Sequence, residues 1–271
     1  MKPIYAILMA GALVLFAGQN AEAQFWNKVK SHAADVVNQT VDKAIEGKED
    51  KQESSPSPQE KDGKLLSIAN PFDFTPGNRV IFSDNFASDT IGHFPQNWKT
   101  NASGSVVAVP GTSGNWFLLN SDATYKLDSL LSMPENFTVE FDILATANES
   151  GDLSPVSFGF TRDNSVSGYL QGVGLAGASL NYYNDDEYYT ASRDIDNHHF
   201  GTFNLVNTLN TPLHISISVK GTHMKMYLAK TRILDAEMFQ PGSRKYFFIS
   251  APLNYKHGAK VLIGNVRIAA L

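Results

Sequence analysis

Glu140 and Asp142, two acids spaced by one residue, carry the sharpest chemical signal in the chain. Around them Phe137, Val139, Phe141 and Ile143 alternate with Thr138, Glu140 and Asp142. On a β-strand that period puts both carboxyls on the face opposite the apolar set. A retaining glycoside hydrolase needs two carboxyls about 5–5.5 Å apart, one as nucleophile and one as acid/base. Catalytic strands of that kind read E-x-D-x-(x)-E, and here Leu144 and Ala145 stand where the second glutamate belongs. The proton donor is missing, and the solvated outer face of an antiparallel sheet explains the pair equally well.

A second cluster points to binding. Residues 181–199 read NYYNDDEYYTASRDIDNHH, with four tyrosines, several acids and Ile195 as the one large aliphatic residue. Tyrosine offers a flat apolar face and a hydroxyl at low entropic cost, a combination suited to a sugar ring. Adjacent strand residues face opposite ways, so one member of Tyr182-Tyr183 and one of Tyr188-Tyr189 must leave the core. The candidate ligand-binding set is Tyr182, Tyr183, Asp185, Asp186, Tyr188, Tyr189 and Asp194. Asp194 and Asp196 are also oxygen donors suited to calcium, which takes 6–8 oxygens. The spacing does not fit an EF-hand loop. His198 and His199 are adjacent, so on a strand they diverge and make a poor zinc pair.

Gly172 to Gly177 matches G-x-G-x-x-G, but a dinucleotide site requires a helix after the turn. Ser179 to Asp185 reads as strand and then turn, so the glycines are expected to ease a bend in a sheet. No organic cofactor is expected.

The 271 residues carry a net charge of −5 and no cysteine. That excludes disulfides, thiolate nucleophiles and cysteine metal sites, and gives no basic patch for nucleic acid or an anionic membrane. Lys2, the apolar run from Ile4 to Gly18 and Ala21-Glu22-Ala23 form a signal-peptide pattern, with cleavage expected before Gln24. Residues 24–47 place Phe25, Trp26, Val29, Ala33, Val36, Val37, Val41, Ala44 and Ile45 at helical spacing. This amphipathic helix is expected to dock or to mediate self-association, its polar face being mixed in sign rather than basic. Residues 48–63, KEDKQESSPSPQEKDG, lack any large apolar residue and are expected to be a flexible linker.

From residue 64 to 271 the period changes to two. Leu213, Ile215, Ile217 and Val219 alternate with His214, Ser216 and Ser218, and Met224, Met226 and Leu228 follow the same rule. Gly221-Thr222 between the two runs is a type II′ hairpin signal. Further short strands are expected at 79–83, 106–109, 116–119, 156–161, 169–175, 200–205, 232–234, 245–250 and 261–268. Many short strands without interleaved helices predict an all-β, two-sheet antiparallel sandwich.

Two stretches carry a family resemblance. One runs from Asp73-Phe74-Thr75-Pro76-Gly77 through Arg79 to Phe86, then Gly92, Pro95 and Trp98; the other spans residues 214–239 and 260–268. Together they resemble the concanavalin A-like (laminin-G-like) jelly-roll domain that precedes the peptidoglycan-binding domain in outer-membrane protein A-like envelope proteins. The resemblance covers most of residues 70–271. Such relatives continue past the position of Leu271 into the peptidoglycan-binding module, so that activity is not carried over. What it implies is a periplasmic or surface address in a Gram-negative-type bacterium and a non-catalytic module for a glycan or an envelope protein. It also implies a structural calcium near a strand end such as that of Asp84. The alternative is a glycoside hydrolase or lyase with an atypical acid/base pair.

Overall fold

The computed structural model describes residues 72–184 and 186–271. The expected signal peptide, amphipathic helix and linker, and Asp185, lie outside the described residues. Among the described residues no helix is long and apolar enough to cross a membrane.

Among the described residues fifteen strands form two antiparallel sheets. In the first sheet the order is β13 (Thr231–Glu237), β12 (His223–Leu228), β11 (Pro212–Lys220), β6 (Asn136–Thr146), β15 (Lys260–Ala270), β4 (Asn115–Leu119) and β3 (Gly104–Ala108). β1 (Arg79–Asp84) shares the flank of β15 with β4, each taking a different half of that long strand. The second sheet runs β10 (Asn197–Thr202), β9 (Glu187–Ser192), β8 (Ala176–Asn181), β7 (Val156–Thr161), β14 (Tyr246–Ser250), β5 (Thr124–Leu127) and β2 (Trp98–Thr100).

The core follows from the alternation. Phe137, Val139, Phe141 and Ile143 of β6 and Leu213, Ile215, Ile217 and Val219 of β11 point inward and are buried. They meet Val156, Phe158 and Phe160 of β7 and Phe247 and Ile249 of β14 from the other sheet. Phe141 contacts Phe158, and Phe137 contacts Phe160, edge to face at 5.2 and 5.4 Å between centroids. Such pairs interlock the two layers. In β15 a bulge at Asn265 (φ 51°) shifts the register between Gly264 and Arg267, which keeps both Ile263 and Ile268 in the core.

The hairpin between β11 and β12 turns as the sequence predicts: Gly221 has φ 61° and Lys220 pairs with His223. The strand expected at 169–175 does not form. Gly172 (φ 84°) and Gly174 (φ 68°) turn the chain, and β8 follows rather than a helix. The third glycine of the motif, Gly177, is needed for strand contact, since a Cβ there would lie 2.2 Å from Phe158 O. β9 falls inside the segment read from sequence as a tyrosine-rich binding stretch.

Before β1 the chain crosses the outer face of the first sheet. Asp73 accepts hydrogen bonds from Lys225 Nζ and Tyr227 Oη, both at 2.6 Å, while Phe72 and Phe74 pack on the Tyr227 ring. Gly77 N donates to Thr138 Oγ1, and Gly77 O accepts from Arg267 Nη2.

Candidate functional site

β9 and β10 form a hairpin at one edge of the second sheet, paired without a register break from Asn197–Ser192 to Thr202–Glu187. Alternation sorts its aromatics. Tyr188 turns toward the core and packs against it, whereas Tyr189 faces outward opposite Phe200. The Tyr189 and Phe200 rings lie 4.7 Å apart at an interplanar angle of 35°. Phe200 is 49% exposed, and the His198 ring stands edge-on to it at 5.9 Å.

Across the sheet the same face continues as Ser179, Ser157, Ser250 and Thr124, all four of them buried. Ser157 Oγ donates to Ser179 Oγ, and Ser179 Oγ to Asn181 Oδ1, each at 3.2 Å. Around the ledge stand Arg193 and Asp196, whose charges act on the Tyr189 hydroxyl in opposite directions, while its partial burial pushes that hydroxyl up from its ordinary pKa. Glu187 accepts from Asn184 Nδ2 at 2.9 Å. One apolar ledge with polar groups at its rim results.

The candidates from sequence divide. Tyr183 (exposed) and Tyr189 reach the surface. Tyr182 is fully buried in the core, and its burial raises its pKa to about 12, so it is corrected from ligand contact to packing. Asp194 is likewise corrected. Its side chain is 1% exposed, and the carboxylate accepts from Arg162 Nη2 (2.7 Å), Gln240 N (2.9 Å) and Ser243 Oγ (2.5 Å). Those bonds tie the turn after β9 to the chain after β7 and after β13. Asp186 lies at the foot of β9, where its carbonyl accepts from Phe203 N at 2.7 Å. Its Oδ1 is shielded from solvent without a partner among the described residues. Phe200 was outside the segment singled out from sequence, although the period of His198, Phe200 and Thr202 continues through it.

Glu140 and Asp142 do share the outer face of the first sheet, on the opposite layer from the aromatic ledge. Glu140 Oε1 accepts from Arg267 Nη1 at 2.8 Å. Asp142 accepts from Asn265 Nδ2 at 2.7 Å and pairs with His214 Nδ1 at 2.7 Å. His214 is held above its ordinary pKa, first by the Asp142 hydrogen bond and then by the two carboxylate charges, against partial burial. Every carboxylate here has a cationic or amide partner from β11 or β15, an arrangement that braces the sheet.

The calcium candidates do not assemble. Asp84 is 6% exposed, and it accepts from Phe86 N (2.9 Å), Trp98 Nε1 (3.1 Å) and Asn97 Nδ2 (3.3 Å). Asp196 is exposed at a positive-φ turn. Among the described residues no three His, Asp or Glu side chains stand close enough to hold a metal ion.

No protein-family model matches the chain, and no curated protein matches it either. Solved structures do. The VIP36 exoplasmic/lumenal domain bound to Ca2+ and Man2 superposes with a TM-score of 0.51 at 12% identity, over 70% of this chain and 87% of that one. The same domain bound to Ca2+ and Man3GlcNAc gives 0.50 at 12% identity, over 66% and 86%. At such identity the likeness establishes the fold: this chain shares the two-sheet β-sandwich of that lumenal domain.

Proposed function

We propose that this chain is an exported, non-catalytic cell-envelope module that binds glycan through the Tyr189–Phe200 ledge. The observation that carries the reading is the outward aromatic pair at the open edge of the second sheet. A pyranose presents a C–H face that packs on such rings, and its hydroxyls reach rim groups such as Glu187, Asn184 and Asp196. The mannose-containing ligands in the VIP36 structures support a sugar as the occupant of a sandwich of this kind. The signal-peptide pattern supports the exported address. The occupied carboxylates of Glu140 and Asp142 support binding rather than hydrolysis.

The test is a glycan array probed with the full mature chain, followed by titration of the best hit. Tyr189→Ala and Phe200→Ala are each expected to weaken binding by about 1–3 kcal/mol, as for an aromatic anchor in an interface. Their melting temperatures should stay near wild type because both side chains face out. Absence of any glycan hit, or a hit indifferent to both substitutions, would remove the ledge from the function.

A further inference from the structure

A sheet edge exposes unpaired N–H and C=O groups, and natural proteins blunt such edges with charge, proline, bulges, short strands or a covering segment. Four of the five edges among the described residues are treated in this way, β1 among them, with Arg79, Asp84 and a register break against β15. β13 carries Arg232, Asp235 and Glu237 and a register break against β12. β2 has three residues, one of them Lys99. β3 is covered from outside, where Gly92 N donates to Val106 O and Val106 N to His93 O at 2.7 and 2.8 Å.

β10 is different. Its six residues, NHHFGT, contain no Lys, Arg, Asp, Glu or Pro, and its pairing with β9 has no bulge. His198, His199, Phe200 and Thr202 are exposed. Among the described residues no strand pairs with its free side; β13 comes near it at the Asn197 end, where Asn197 Nδ2 donates to Glu237 O.

Register shows which backbone groups are free. Phe203 N donates to Asp186 O, one rung beyond the Thr202–Glu187 pair. Hydrogen-bonded rungs alternate in an antiparallel ladder, so Gly201 and His199 bond toward β9. His198, Phe200 and Thr202 therefore direct their N–H and C=O groups outward. A two-fold axis through Phe200 would pair this strand with itself: Phe200 opposite Phe200 of a second copy, and His198 opposite its Thr202. No like charges oppose one another in that register, and each outward residue finds a reciprocal partner.

We propose that β10 is a homodimer edge, where two copies join antiparallel about Phe200 and the second sheet becomes continuous across both. Side chains on one face stay on one face, so Tyr189, Phe200 and their counterparts align as a single four-ring ledge. Each copy thus contributes half of the platform. The extension to a longer glycan rests on the binding reading above; the dimer itself does not.

Sedimentation velocity on the full mature chain, wild type and Thr202→Pro, tests the proposal. Thr202→Pro deletes an outward N–H at two symmetric places and spares both Tyr189 and Phe200. A wild-type dimer whose dissociation constant rises about tenfold or more in the variant, with a wild-type melting profile for the monomer, is the expected result. His198→Pro repeats the test at the paired position should the first variant fold poorly. A wild type that stays monomeric as concentration is raised would overturn the proposal, as would a dimer unchanged in both variants, which would place association on another surface such as residues 24–47. A dimer that binds no glycan would instead sink the ledge's function and leave this edge standing.

Discussion

Asp84 at the end of a strand and Asp194 in a turn have the charge for calcium, but a carboxylate offers a metal only the oxygens its neighbours leave free. Asp84 already accepts from two buried donors, the Phe86 amide and the Trp98 indole. Removing the acceptor leaves both unpaired in an apolar setting, at about 1–3 kcal/mol for each such group. Asp84→Ala is therefore expected to lower stability by a few kcal/mol, read by urea denaturation, while EDTA leaves the wild-type melting temperature unchanged. A melting temperature that drops on chelation and returns with calcium would show that these donors give way to a metal. The shared face of Glu140 and Asp142 was legible because a period of two admits no other arrangement. Their partners were not, since Asn265 and Arg267 lie over a hundred residues away and meet them only through the pairing of β15 with β6.

Elements with branched or aromatic alternation declared themselves in the sequence, as β6, β11 and β12 did. β8, which reads AGASLN, has small inward residues and no strong period, so only its second half, from Ser179, reads as strand in the sequence while its glycine-rich start reads as a bend. β9, EYYTAS, is missing from the strands expected above because it has no branched aliphatic residue to mark a period, although strand alternation is what sorts Tyr188 from Tyr189. Small residues at β7–β8 have their own reason. Gly177 and Gly159 pair directly, and a Cβ on Gly177 would strike Phe158 O at 2.2 Å and Gly159 Cα at 2.9 Å. Both obstacles are backbone in the centre of a sheet and cannot swing aside. Gly177→Ala should cost at least about 1–3 kcal/mol, the range for overpacking. Gly111→Ala is a useful contrast, since nothing stands within 4 Å of its Cβ and only its φ of 84° opposes the change. Equal stability of Gly177→Ala and wild type in a thermal melt would mean the two strands can part without loss.

At the scale of the whole molecule the two sheets divide the work. The second presents aromatic surface at its edge, and the first carries charged ladders on its outer face that knit distant strands together. His214 on β11 sits at a junction of those ladders. Asp142 and Glu140 of β6 face it at 2.7 and 3.9 Å, Arg267 of β15 holds Glu140 from the other side, and Asn265 takes the second oxygen of Asp142. The protonated imidazole balances two carboxylates, and so its folded-state pKa is raised above the ordinary 6.5. A group whose pKa rises on folding adds stability that is complete below the unfolded value and is lost as pH climbs through the folded one. The stabilising share of His214 should therefore be full at pH below 6.5 and fade as pH rises above it. Because the ring is close to half exposed, solvent screening keeps the effect modest. Guanidinium melts at a series of pH values compare wild type with His214→Gln, which keeps a hydrogen-bonding group but cannot take the charge. The stability gap between them should be widest on the acid side and narrow toward alkaline pH. A gap that is constant with pH, or that widens as pH rises, would show that the imidazole acts here as a neutral hydrogen-bonding group and that the ladder on the first sheet is closed by Arg267 alone.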